Sequence, residues 1–110
     1  MYTVYLADDE QLIREGLAET IPWESLRMRL VGTAEDGRHA LRGIREHKPD
    51  IVLTDIRMPY LDGLELIGKI REVHPSCRVV IISGHGEFTY AQSAIQLGVS
   101  DFILKPVDVT

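Results

Sequence analysis

The sequence predicts an α/β domain built on a five-stranded parallel sheet with helices on both faces. Three observations carry that prediction. Short apolar runs and helical spacing alternate along the chain from one end to the other. Three of the four strong runs are uninterrupted, which suits strands covered on both faces. A length of 110 residues leaves room for one domain around one core.

The first strand is Val4-Tyr5-Leu6-Ala7. A helix follows, with Leu12, Ile13, Leu17 and Ile21 placed on one face and its end set by Pro22, because the residue before proline avoids the helical region. Leu30-Val31-Gly32-Thr33-Ala34 contains a glycine and reads as an edge strand. Ala40, Leu41 and Ile44 mark a second helix stopped by Lys48-Pro49, and Ile51-Val52-Leu53-Thr54 is the third strand. Leu64, Ile67, Ile70 and Val73 mark a third helix ahead of Pro75. Asp62 and Glu65 stand three apart at its start, the spacing of a capping box. Val79-Val80-Ile81-Ile82 forms the fourth strand. Phe88, Ala91 and Ile95 mark a fourth helix closed by Gly98, and Phe102-Ile103-Leu104 is the fifth strand. The six residues after Leu104 are too few for a fifth helix. One face of the sheet is therefore expected to be thinly covered, which implies either that the chain is cut from something longer or that a neighbouring molecule covers the gap. The whole of 1–110 is expected to be one domain.

Composition narrows the function. Twelve Lys and Arg against 17 Asp and Glu give a net charge of −5, a poor balance for gripping nucleic acid. No apolar run approaches the roughly 18 residues of a membrane span. No basic segment precedes an apolar one at the start, so no secretory signal is visible. The lone Cys77 has no intrachain partner and suits a reducing cytoplasm.

In open parallel sheets, ligands gather beyond the carboxyl ends of the strands, where strand order reverses. Asp8, Asp9 and Glu10 follow the first strand, Asp55 the third, Ser83 the fourth and Lys105-Pro106 the fifth. The first turn lacks the glycines of a dinucleotide site and the Gly-Lys-Ser/Thr of a phosphate loop. Three aspartates crowded on one rim ask for a counter-charge, which a hard divalent cation with oxygen ligands supplies. A carboxylate can act as a nucleophile toward phosphorus, and phosphoryl transfer needs mainly positioning and neutralised charge. Asp55, alone on its strand opposite the acidic pair, is the natural nucleophile.

These residues form a pattern. Asp8-Asp9, then Asp55 through Gly63 (Asp-Ile-Arg-Met-Pro-Tyr-Leu-Asp-Gly), Ser83-Gly84 and Lys105-Pro106 together resemble the receiver domain of bacterial two-component response regulators, from Tyr2 to about Asp108. The resemblance implies a flavodoxin-like, doubly wound sheet of order 2-1-3-4-5. It implies that Asp55 takes a phosphoryl group from a sensor histidine kinase. Mg²⁺ would be held by Asp8, Asp9, Asp55 and the backbone carbonyl of Arg57. Lys105 would pair with the phosphoryl oxygens, Ser83 would donate its hydroxyl to them, and Phe102 would turn inward as the switch aromatic. The Lys105–Pro106 bond would be cis. Phe102 lacks the hydroxyl of the family's commoner tyrosine, so no hydrogen bond from it can hold an outward state. Arg57 and His85 occupy positions that tune the lifetime of the acyl phosphate. Ile21-Pro22-Trp23 and the segment Ser83 to Ala91 look most like receivers fused to AraC-type DNA-binding domains. That likeness implies a transcriptional output domain beyond this chain; the sequence leaves open whether two copies pair through the surface of helix four and strand five.

Each residue alone admits a plainer reading. Paired aspartates after a strand favour a helix start through the macrodipole. Ser83 reads equally as a loop hydroxyl, Lys105 as a solvated lysine and Phe102 as core. His39, His47, His74 and His85 show no metal-ligand spacing and are expected at surface or loop positions. Cys77 is expected to be structural, and Trp23 to pack in the loop after helix one. Two functions compete with the signalling switch. A phosphohydrolase with an aspartyl-phosphate intermediate usually has a second aspartate two residues after the nucleophile, where this chain has Arg57. A phosphorylation-silent interaction domain would lack at least one rim residue, and none is missing.

Overall fold

A computed structural model describes residues 1–83, 98 and 101–104, with Ser83 and residues 101–104 described through their backbone. The elements run β1 (Tyr2–Ala7), α1 (Gln11–Thr20), a 3₁₀ turn (Glu24–Leu26), β2 (Met28–Ala34), α2 (Gly37–His47), β3 (Ile51–Asp55), α3 (Gly63–Val73), β4 (Arg78–Ser83) and β5 (Asp101–Leu104). All pairings are parallel and the spatial order is β2-β1-β3-β4-β5. This is the expected doubly wound order, with the glycine-bearing strand at one edge. The expected fourth helix and the segment after Leu104 lie outside the described residues. Gly98, expected to close that helix, has the left-handed φ of 76° that suits such a position.

Two apolar clusters hold the layers together. On one face α2 and α3 pack Ala40, Ile44, Leu66, Ile67 and Ile70 against Tyr5, Val52, Val79 and Ile81. Each fully buried Ile or Leu there contributes about 1.5–3 kcal/mol relative to exposure. On the other face Leu17 of α1 meets Leu6 and Ile82, with Ile13, Ile21, Leu30 and Leu53 half-buried around them. The helical face assigned to α1 needs one correction. Leu12 is 86% exposed, because at 100° per residue it points well away from Ile13, Leu17 and Ile21.

Local signals in the sequence account for the helix ends. Asp62 accepts from the Glu65 amide at 2.9 Å, and Glu65 returns an acceptor to the Asp62 amide at 3.5 Å, completing the capping box. Lys48 terminates α2 in the left-handed region at φ 48°, with Pro49 next. Trp23 does pack back on α1, its indole N–H donating to the Ala18 carbonyl at 3.1 Å.

Gly32 has a tertiary reason. The Tyr5 ring lies over it, and a Cβ at Gly32 would come 2.7 Å from the Tyr5 ring carbon Cε2. Gly43 of α2 meets the same ring from the helix side. Two glycines therefore form the slot in which Tyr5 is buried. That burial, reinforced by the nearby carboxylates of Glu46 and Asp36, raises the phenol above its ordinary pKa of 10.0.

Candidate functional site

The strand order builds the site. β1 lies beside β3 with Ala7 opposite Thr54, so the chain leaves both strands at the same point on the rim. Asp8 and Asp55 are the residues that follow. They lie far apart in the sequence, and both are buried, Asp8 at 0% and Asp55 at 4% exposure. Asp9 and Glu10 are exposed beside them. One carboxylate oxygen from each of Asp8, Asp9, Glu10 and Asp55 falls within 4.8 Å of the others. At that separation two full charges repel by roughly 3.5 kcal/mol at an effective dielectric near 20.

Backbone contacts hold the carboxylates in place. Asp8 Oδ1 accepts the Glu10 amide at 2.9 Å, and its carbonyl accepts Nη1 of Arg14, one turn into α1, at 2.8 Å. The Asp8 amide donates to Ala34 at 3.0 Å, extending the β1–β2 ladder. Asp55 Oδ1 accepts the Ile56 amide at 2.7 Å, and its carbonyl accepts the Thr54 hydroxyl at 2.9 Å. The loop from Ile56 to Asp62 is anchored by the buried side chains of Ile56 and Met58. Its far end is tied back where Gly63 donates to Ile56.

Of the residues expected at the site, the structure brings the carboxylates of Asp8, Asp9 and Asp55 together. Glu10 joins them; its place next to Asp9 was visible, but not its approach to Asp55. Arg57 is exposed in the loop after β3. Ser83 ends β4 opposite Leu104, and Phe102 of β5 pairs with Ile81 through the backbone. Lys105, Pro106 and His85 lie outside the described residues.

A second grouping lies outside the residues the sequence marked. Glu35, Asp36 and His39 bring ligand atoms within 4.8 Å of one another at the start of α2. Asp36 caps the helix by accepting the His39 amide at 2.8 Å, and its other oxygen pairs with His39 Nδ1 at 2.6 Å. Burial opposes ionisation of Asp36, but the His39 amide, its ring and the Arg38 amide together outweigh it and lower the carboxyl's pKa. The Asp-x-x-His spacing at a helix start was the available signal. His39 is at the surface, as expected, on the exposed side of α2. His74, at the end of α3, donates from Nε2 to the Pro49 carbonyl at 2.7 Å. Cys77 is buried as expected of a structural residue, and burial pushes its thiol up to about 11.

The acidic cluster therefore offers only oxygen donors, which suit a hard cation such as Mg²⁺ rather than a soft one. No helix among the described residues is long and apolar enough to cross a membrane.

Comparison with known proteins agrees with this architecture. The transcriptional regulatory protein YesN of Bacillus subtilis is 48% identical over 106 residues, which is 96% of this chain but 29% of that relative. The REC domain of AraT, a response regulator from Geobacillus stearothermophilus, superposes with a TM-score of 0.93 at 46% identity, covering 97% of this chain and 83% of that one. A two-component transcriptional regulator AraC from Clostridium phytofermentans gives a TM-score of 0.88 at 35% identity, covering 98% and 84%. Residues 4–110 match the response regulator receiver domain family, and the chain belongs to that family.

Proposed function

We propose that this domain is a phosphorylation-dependent switch in which Asp55 accepts a phosphoryl group from a sensor histidine kinase. One observation carries the reading: four carboxylates converge within 4.8 Å at the adjoining ends of β1 and β3, two of them buried. Such a concentration of negative charge is tolerable where a cation is taken up, and its all-oxygen donor set fits Mg²⁺. Asp8, Asp9 and Asp55 would hold the ion, with the Arg57 carbonyl completing the set on the family pattern. Bound there, Mg²⁺ supplies neutralisation of the charge on the entering phosphoryl oxygens.

The residues of the chain then have distinct tasks. A carboxylate oxygen of Asp55 forms the new bond to phosphorus, the phosphorus–nitrogen bond to the kinase imidazole breaks, and that nitrogen recovers a proton. The Ile56 amide, already donating to Asp55 Oδ1, orients the nucleophile. Lys105 would pair with the transferred oxygens and Ser83 would donate to them, drawing its loop inward, with Phe102 following. We assign the domain to the cytoplasm, with an output domain of AraC type that binds DNA. The named transcriptional relatives support that output.

Incubation with acetyl phosphate and Mg²⁺, followed by intact-mass measurement, tests the reading. A gain of one phosphoryl group that disappears in Asp55→Asn is expected. Phosphorylation of Asp55→Asn to the same extent, or none of the wild type, would overturn it.

A further inference from the structure

We propose that the outer face of α2 is a docking groove for an acidic peptide segment of a partner protein. Arg38, Arg42 and Arg45 stand at i, i+4 and i+7, so their side chains share one face. They are exposed and line a groove of about 470 Å³ together with Leu41 and Glu46. Among the described residues none of the three guanidinium groups is in an ion pair. The stretch from Arg38 to Arg45 covers about 10 Å of helix. Positive charge is thus concentrated on one face of a chain whose net charge is −5.

The chemistry selects the occupant. Guanidinium forks match carboxylates in a bidentate geometry, and arginine is prominent among residues that dominate protein interfaces. Half-buried Leu41 adds an apolar contact to the lining of the groove. Arg38 is already ordered, with its guanidinium carbon 4.7 Å from the centre of the Tyr60 ring, which lowers the entropy cost of using it.

Other occupants fit less well. An anionic bilayer surface would reward inserted apolar side chains, yet Ala40 and Ile44 of this helix are fully buried in the core. Tight nucleic-acid binding rests on many phosphate contacts, whereas this face offers three arginines beside Glu46 on an acidic chain.

The probe is a fluorescein-labelled, glutamate-rich peptide with leucine at every third position, followed by anisotropy against the wild-type chain. Saturable binding is expected, weakening on the order of tenfold in the double variant Arg42→Glu/Arg45→Glu, equivalent to about 1.4 kcal/mol. Binding should also weaken between about 0.01 M and 0.1 M salt, as the Debye length falls from about 30 to 10 Å. Arg42→Gln/Arg45→Gln, built from good helix formers, carries the test if charge reversal unfolds the chain. It should weaken binding while leaving Asp55 phosphorylation unchanged. Absence of saturable binding, equal binding by the glutamine variant, or equal binding of a glutamine-for-glutamate peptide overturns the proposal. So does tighter binding to duplex DNA or phosphatidylserine vesicles at the same salt, or self-association abolished by Arg42→Glu.

Discussion

The amide of Gly63 donates to the carbonyl of Ile56 at 2.5 Å, closing the loop that begins at Asp55. This contact requires a glycine, because a Cβ at Gly63 would run into the Asp55 carbonyl oxygen and the Ile56 Cα. Both obstacles are backbone, so they cannot rotate aside. Gly63→Ala is expected to cost about 1–3 kcal/mol, the usual range for overpacking, and to slow phosphorylation of Asp55 by displacing its loop. Urea unfolding and the phosphorylation rate with acetyl phosphate measure the two effects.

Charge crowding predicts a metal-linked stability. With Mg²⁺ at ten times its dissociation constant, folding should gain about 1.4 kcal/mol by mass action. Asp9→Ala should lose most of that gain and, without Mg²⁺, be at least as stable as the wild type, since one repelling carboxylate is gone. Thermal melts with and without Mg²⁺ decide this. An unaltered Mg²⁺ response in Asp9→Ala would remove Asp9 from the site.

Two groups set opposite pH limits. The Asp36 pKa is lowered in the fold, so its contribution is present above its ordinary 3.8 and is lost as pH falls through the lower folded value. Asp36→Ala should therefore flatten the acid limb of the stability curve. It should also cost about 1 kcal/mol at neutral pH through loss of the α2 cap. The Cys77 thiol is raised from 9.0 to about 11, so its contribution is complete below pH 9 and is lost as pH climbs toward 11. Cys77→Ala should blunt that alkaline loss, and the native thiol should react slowly with iodoacetamide at pH 7. Denaturant melts across pH, together with alkylation rates, measure these effects.

Much of the fold was legible because its signals are local. The capping box at Asp62 and Glu65 depends on residues three apart, and it forms as the sequence suggests. Proline and the left-handed Lys48 stop α2 where expected. Leu12 misled because it is apolar and adjoins Ile13, yet at 100° per residue it stands 100° from Ile13 and 180° from Ile21, off the buried stripe. The pairing of Asp36 with His39 is invisible to spacing among histidines, because it joins a helix-capping aspartate to a single histidine three residues on.

By itself the sequence determined the alternation of strands and helices, the ends of α2 and α3, and the placing of acidic residues just after strands. These follow from hydrophobic period, capping chemistry and proline sterics, which act over a few residues. Only the tertiary structure decided that Ala7 lies against Thr54, so that Asp8 and Asp55 meet across two neighbouring strands. It also decided that Gly32 and Gly43, from a strand and a helix, enclose one tyrosine. Contacts of that kind depend on strand order and register, which arise when distant segments bury their apolar faces together.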